Sequence, residues 1–165
     1  MKQIQILTAV FCVINFIQIG WMSEKKPVEH KTRVVKYVTL PAEKFSPEKF
    51  YEFLILADIK FPKIVYAQAI LESGTFTSNK FKKMNNMFGM MHPHSRPTTA
   101  IGKINGFAKY NDWKDAVLDY RIYQRLYLTA DTPNEYYQAL LGAGYFSDES
   151  YIKKLKDVVK DLPYD

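Results

Sequence analysis

The stretch KFPKIVYAQAILESGTFTSNKFKKMNNMFGM, Lys60 to Met90, decides the fold. Pro62 suits the first turn of a helix, where its missing N–H is not needed. Ile64, Ala67, Ile70 and Leu71 recur at helical spacing, and Val65 and Ala69 widen the face. A helix apolar on nearly every side is a buried one. Gly74, flanked by Ser73 and Thr75, marks its end. Glu72 is its one carboxylate and sits at the C-terminal tip, where the helix dipole does not help a negative charge. Partial burial raises a carboxyl pKa further, and that environment makes a general acid near neutral pH. Ser78 to Asn86 is polar and basic, with Met84, Met87, Phe88, Met90 and Met91 in and after it. That mixture predicts a loop folded back onto the core, with Asn85 and Asn86 tolerating left-handed backbone.

Working outward, Ser46-Pro47-Glu48 starts a helix that carries Phe50, Phe53, Leu54 and Ala57 on its buried face and ends near Asp58. After the central stretch, the prolines of His92 to Thr99 exclude regular structure. Ala100 to Tyr110 predicts a hairpin turning at Asn105-Gly106. Asp112 with Asp115 begins a long helix through Trp113, Ala116, Val117, Tyr120, Tyr123, Gln124, Tyr127 and Leu128. Thr132-Pro133-Asn134-Glu135 is a capping box for a helix ending at Gly142 or Gly144. A last helix, capped by Ser147, puts Tyr151, Leu155, Val158, Val159 and Leu162 inward. The fold class is mainly α, an α+β domain with one small hairpin. A chain of 165 residues with 47% apolar content suits one such domain.

The domain is expected over residues 45–165. Residues 1–22 form an apolar segment, and the 19 residues from Ile4 to Met22 carry no charge. That is just long enough to cross a bilayer and also resembles a secretory signal. An uncleaved anchor is favoured, because Gly20-Trp21-Met22-Ser23 offers a poor cleavage site. Either reading places the domain outside the cytoplasm, periplasmic or extracellular. Residues 23–44 read as a charged tether or extended arm, with strand character only at Val34 to Leu40.

The net charge of +6 suits a polyanionic partner. Between Glu72 and Asp112 there is no acidic residue, while Lys80, Lys82, Lys83, Arg96, Lys103 and Lys109 fall there. The plain reading is a solvated basic face; the functional one is a grip on a negatively charged substrate. Cys12 is the only cysteine, so residues 45–165 have no disulfide and no thiolate metal site. His92 and His94 lack a third ligand at suitable spacing, so no metal is expected. Nothing resembles a basic recognition helix, so no nucleic-acid partner is expected.

Ala67–Gly74 (AQAILESG), Ser78, Asn85–Met90 (NNMFGM), Phe107–Tyr120 (FAKYNDWKDAVLDY) and Ala143–Val159 (AGYFSDESYIKKLKDVV) come in an order that resembles the peptidoglycan-hydrolysing glucosaminidase family. The likeness is to the flagellar and autolysin type within the lysozyme-like superfamily, and especially to short versions from Bacteroidales and their phages. It implies a two-lobed helical domain, no cofactor, and cleavage of the β-1,4 bond between N-acetylglucosamine and N-acetylmuramic acid. It also implies Glu72 as the catalytic acid, with Asn85, Asn86, Phe88, Tyr110 and Tyr145 as site residues. Arg96 is a further candidate for the carboxylates of the substrate. The family's Trp-Gly pair is missing after Glu72-Ser73-Gly74, where Phe76 supplies an apolar side chain. The hairpin lobe has no second acid, which points to trapping of the sugar centre by the substrate's own 2-acetamido group. Two alternatives fit the same residues. One is a lytic transglycosylase giving 1,6-anhydro ends; the other is an inactive wall-binding or structural component of a phage particle or secretion machine.

Overall fold

The chain divides after Leu40, and the computed structural model describes residues 43–146 and 150–164, all within the unit Pro41–Asp165. The expected anchor, tether and strand-like arm of residues 1–42 lie outside the described residues. The elements follow in the order α1 (Pro47–Leu56), α2 (Pro62–Ser73), α3 (Asn79–Met84), β1 (Gly102–Ile104), β2 (Phe107–Lys109), α4 (Trp113–Tyr127), α5 (Pro133–Gly142) and α6 (Tyr151–Asp161). The result is a mainly helical, two-lobed domain of lysozyme-like type, whose smaller lobe carries the hairpin.

The central helix is α2, as its composition demands. Ile64, Val65, Tyr66, Ala67, Gln68, Ala69 and Ser73 are all buried, so neighbours cover it all round. It packs against α1 on one side and α6 on another. The Ser46 side chain accepts from Lys49 N and caps α1, whose Phe50 and Leu54 are fully buried. Each such side chain contributes about 1.5–3 kcal/mol by leaving water. Lys60 joins the α1–α2 connection to α4, because Gln124 both accepts from Lys60 N at 2.8 Å and donates to Lys60 O at 2.9 Å. Trp113 belongs to the core at 3% exposure, and its indole N–H donates to Glu43 O. Phe45, Phe50, Phe76, Phe81 and Trp113 form one aromatic cluster around it.

Both capping boxes form, at Asp112/Asp115 and Thr132/Glu135. The hairpin turns at Asn105 and Gly106 with φ of 50° and 83°, the pair of positive angles a two-residue primed turn requires. Two local expectations change. Ser78–Asn86 is not a loop throughout: Ser78 accepts from Phe81 N, Phe81 and Met84 bury the same face, and Asn85 closes α3 in the left-handed region. The last helix begins at Tyr151 with Ser150 at its N-cap; Ser147 lies outside the described residues.

Candidate active site

Glu72 occupies the last turn of α2, and the chain leaves that helix by an unusual route. Gly74, Thr75 and Phe76 all have positive φ, at 56°, 54° and 61°. The turn is held by Ser73, whose hydroxyl donates to Ala69 O and accepts from Phe76 N at 2.8 Å. It delivers the Phe76 ring to Phe45 and Phe50 at 5.0 and 5.6 Å, the apolar packing expected of this position.

The Asn85–Met90 loop is brought against Glu72 by its asparagines. The Asn86 amide donates to Met90 O at 2.9 Å and Ala108 O at 2.8 Å, and its carbonyl accepts from Met90 N at 3.0 Å. Asn85 donates to Tyr110 O and Asn111 O. Gly89, with φ of +64°, then passes so close that a Cβ there would stand 3.1 Å from Glu72 Oε2. Glycine is needed at this point both for its backbone angle and for the room it leaves the carboxyl.

A cleft of about 440 Å3 opens beside Glu72, lined also by Phe88, Gly89, Arg96, Tyr123, Tyr127 and Tyr145. Burial raises the Glu72 pKa above the ordinary glutamate value, against a smaller lowering by the Tyr151 hydroxyl and the Lys80 ammonium. Gln68 lies one turn before Glu72 on the same helix face. Its amide nitrogen and the Tyr151 hydroxyl are buried without a well-formed hydrogen bond, the hydroxyl lying next to both Gln68 and Glu72. The Gln68 carbonyl is fixed from below by Tyr120 at 2.9 Å, which shares a hydroxyl contact of 2.7 Å with Tyr136. Tyr145 is held at the cleft by donating to Phe88 O at 3.0 Å.

Of the residues expected at the site, Glu72, Phe88, Arg96 and Tyr145 line the cleft. Asn86 is 1% exposed with its amide engaged by backbone, and Asn85 is likewise spent on backbone carbonyls. These two side chains hold the loop beside Glu72. Tyr110 is 1% exposed and its hydroxyl donates to Asp119 Oδ2 at 2.7 Å. Arg96 pairs with Asp119 through two bonds, of 2.7 and 2.9 Å, so its charge is already answered within the protein. Burial pushes the Asp119 carboxyl up, but the hydrogen bonds from Arg96, Thr98 and Tyr110 outweigh it and hold the pKa below the usual aspartate value. Among the described residues, Glu72 is the one carboxylate lining the cleft, and no group of three or more metal-ligating side chains occurs.

Sequence reasoning missed Tyr123, Tyr127, Gln68 and Tyr151. The tyrosines at i and i+4 of α4 fit an apolar helix stripe, and only their partial exposure marks them as a surface. Gln68 is the one polar residue inside the buried run of α2, which was a legible signal.

A mainly helical, two-lobed domain with one small hairpin and an open cleft is a fold of lysozyme-like type. Residues 52–163 match the family model described as Glucosaminidase, mannosyl-glycoprotein endo-beta-N-acetylglucosaminidase. The chain belongs to this glucosaminidase family and is a glycoside hydrolase of the endo-β-N-acetylglucosaminidase type. The fold is similar to a chain in a type VI secretion system effector-immunity complex from Pseudomonas protegens, with a TM-score of 0.58 and 18% identity over 69% of this chain and 86% of that one. It is also similar to a peptidoglycan hydrolase from Sphingomonas sp. A1, with a TM-score of 0.52 and 21% identity over 66% and 82% of the two chains. No curated protein sequence matches significantly.

Proposed function

We propose that this enzyme cleaves the β-1,4 bond between N-acetylglucosamine and N-acetylmuramic acid in peptidoglycan, with Glu72 as its single general acid. The observation that carries the reading is the position of Glu72: desolvated, at the cleft, and the one carboxylate that lines it among the described residues. The family supplies the endo-glucosaminidase chemistry, and the fold is shared with a peptidoglycan hydrolase.

Protonated Glu72 donates to the glycosidic oxygen as the bond to the anomeric carbon breaks. The carbonyl oxygen of the substrate's 2-acetamido group attacks that carbon and forms an oxazolinium. Water then opens the ring and gives its proton to Glu72, which returns to its starting state. Asp119 does not serve as the second carboxylate, because Arg96 and Tyr110 occupy both its oxygens. The Tyr151 hydroxyl stabilises ionised Glu72 between the two steps.

The polymer lies outside the cytoplasm, so the enzyme is assigned to the periplasm or the cell exterior, with residues 4–22 as anchor or signal.

The test is digestion of purified peptidoglycan by the full chain, followed by borohydride reduction and mass spectrometry of the fragments. Reduced N-acetylglucosamine ends that vanish with Glu72→Gln are the expected result. Anhydro-muramyl ends would instead assign a lytic transglycosylase, and the absence of any product would overturn the enzyme reading for this polymer.

A further inference from the structure

The cleft does not stop at Tyr127. A second hollow of about 420 Å3 shares Tyr123 and Tyr127 with it and continues to Ala139, Gly142 and Ala143 at the end of α5. Three tyrosine rings mark the route outward. Tyr145 lines the Glu72 cleft, the Tyr123 centroid lies 6.0 Å from it, and Tyr127 lies a further 5.1 Å on. Tyr123 and Tyr127 are one helical turn apart on α4, so they form a continuous aromatic strip.

Tyr123 is braced. Its ring touches Tyr120 at 6.1 Å, and the Arg96 guanidinium, itself fixed by Asp119, stands 5.9 Å from its centroid. Tyr127 is 49% exposed. The opposite rim is made of the smallest residues, and a Cβ on Gly142 would meet nothing within 4 Å. Among the described residues, none that lines this second hollow is charged.

These features define what fits there. The ligand is neutral, has a flat apolar face for the rings and polar edges for water, and continues from whatever lies beside Glu72. We propose that Tyr123 and Tyr127 form a stacking shelf for a neutral pyranose unit of the glycan, beyond the unit that meets Glu72. The identity of the polymer rests on the hydrolase reading above. An anionic moiety belongs elsewhere: the basic hollow lies at Lys80 and Lys83 beside Phe107, where no tyrosine takes part.

The test measures binding to the full chain carrying Glu72→Gln, by calorimetry, with β-1,4 N-acetylglucosamine oligomers of increasing length and with peptide-free glycan strands. Affinity is expected to rise with length, and adding Tyr127→Ala to lower it for long ligands by about five- to tenfold, with a smaller loss for the shortest that binds. Leu126→Ala, exposed on the same helix and outside the hollow, serves as the control and is expected to leave binding unchanged. Circular dichroism establishes that each variant is folded. Binding without length dependence, or equal loss at every length in folded Tyr127→Ala, overturns the shelf. The two readings separate cleanly. Length-dependent binding lost in Tyr127→Ala, with no cleavage by the unsubstituted chain, leaves the shelf standing and sinks the hydrolase. Cleavage of long strands by Tyr127→Ala at an unchanged KM does the reverse.

Discussion

The two sides of the cleft are built on opposite terms. On the side of α4 and the 92–99 loop, the polar groups nearest the cleft are answered within the protein: Arg96 and Asp119 share two bonds, Tyr110 completes the carboxylate, and Asn86 ties the neighbouring loop to β2. On the α2–α6 side, the Gln68 amide nitrogen is buried without a well-formed partner among the described residues, and the Tyr151 hydroxyl lies next to a glutamate whose charged form is disfavoured. Burying such groups costs stability, about 1–3 kcal/mol for each left unsatisfied. A fold carries that cost where it keeps hydrogen-bonding capacity for something that changes charge. The contrast separates a wall that gives shape from the one proposed to do the chemistry, although both are rich in tyrosine.

The largest expected effect tests the chemical wall. Glu72→Gln should lower kcat on peptidoglycan by about 10²–10⁴ or more, since it removes the proposed proton donor. The same substitution should stabilise the fold, and the sign follows from linkage. A carboxyl whose folded pKa is raised leaves the native state holding the extra proton, so stability is lost as pH rises from the ordinary glutamate value through the folded one. Glu72→Gln escapes that loss. Its melting temperature should exceed the parent's at pH about 7 and match it well below pH about 4. A lower melting temperature at neutral pH would show that ionised Glu72 is well solvated, and the contrast between the walls would fail. Gly89→Ala sharpens the same point from across the cleft. The added methyl meets Glu72 Oε2 at a backbone angle alanine resists, so activity should fall by at least about tenfold while the helices remain.

The shaping wall is tested by stability. Asp119 is fully buried and the Arg96 side chain is 6% exposed, so Asp119→Ala leaves a guanidinium without its partner and should cost about 3–5 kcal/mol in urea unfolding. Replacing the pair together by Arg96→Met and Asp119→Leu should recover part of this, because no charge is then stranded. A cost below about 1 kcal/mol for Asp119→Ala would mean that the pair behaves as an exposed one. The native pair also predicts acid sensitivity. The depressed Asp119 pKa contributes stability above its unfolded value that disappears as pH falls through the folded one.

Much of this was legible before any coordinates. The buried helix, both capping boxes and the primed hairpin turn follow from spacing and from residues with narrow conformational preferences. The illegible part has a common cause. Asn86, Tyr110 and Arg96 carry the chemistry a substrate needs, and sequence does not show that Met90, Ala108 and Asp119 reach them first. These partners are up to 23 residues away, brought close only by the return of the hairpin onto α4. Within the basic run, the Arg96 charge is cancelled by an aspartate beyond the acid-free interval.

A smaller effect probes how the chemical wall is tuned. The Tyr151 hydroxyl favours ionised Glu72, so Tyr151→Phe should raise the Glu72 pKa further and move the alkaline limb of the pH–activity profile upward. The shaping wall offers a control: Tyr110→Phe should reduce stability and leave that limb in place.

The smallest expected effect concerns the turn that carries Glu72 out of its helix. Thr75 is exposed and β-branched, yet it holds φ of 54° between Gly74 and Phe76, which are also left-handed. A left-handed angle costs such a residue about 1–2 kcal/mol. Thr75→Gly removes that strain and loses no buried contact, but it loosens the unfolded chain by about 0.4–1 kcal/mol. The net change in chemical denaturation should be a gain of about 0.5 kcal/mol. Phe76→Gly should behave oppositely despite the same angle, because its ring packs on Phe45, Phe50, Tyr66 and Phe81. If Thr75→Gly instead lowers activity at unchanged stability, the left-handed turn is setting the direction of the Glu72 side chain, and strain on the chemical wall is part of how the acid is aimed.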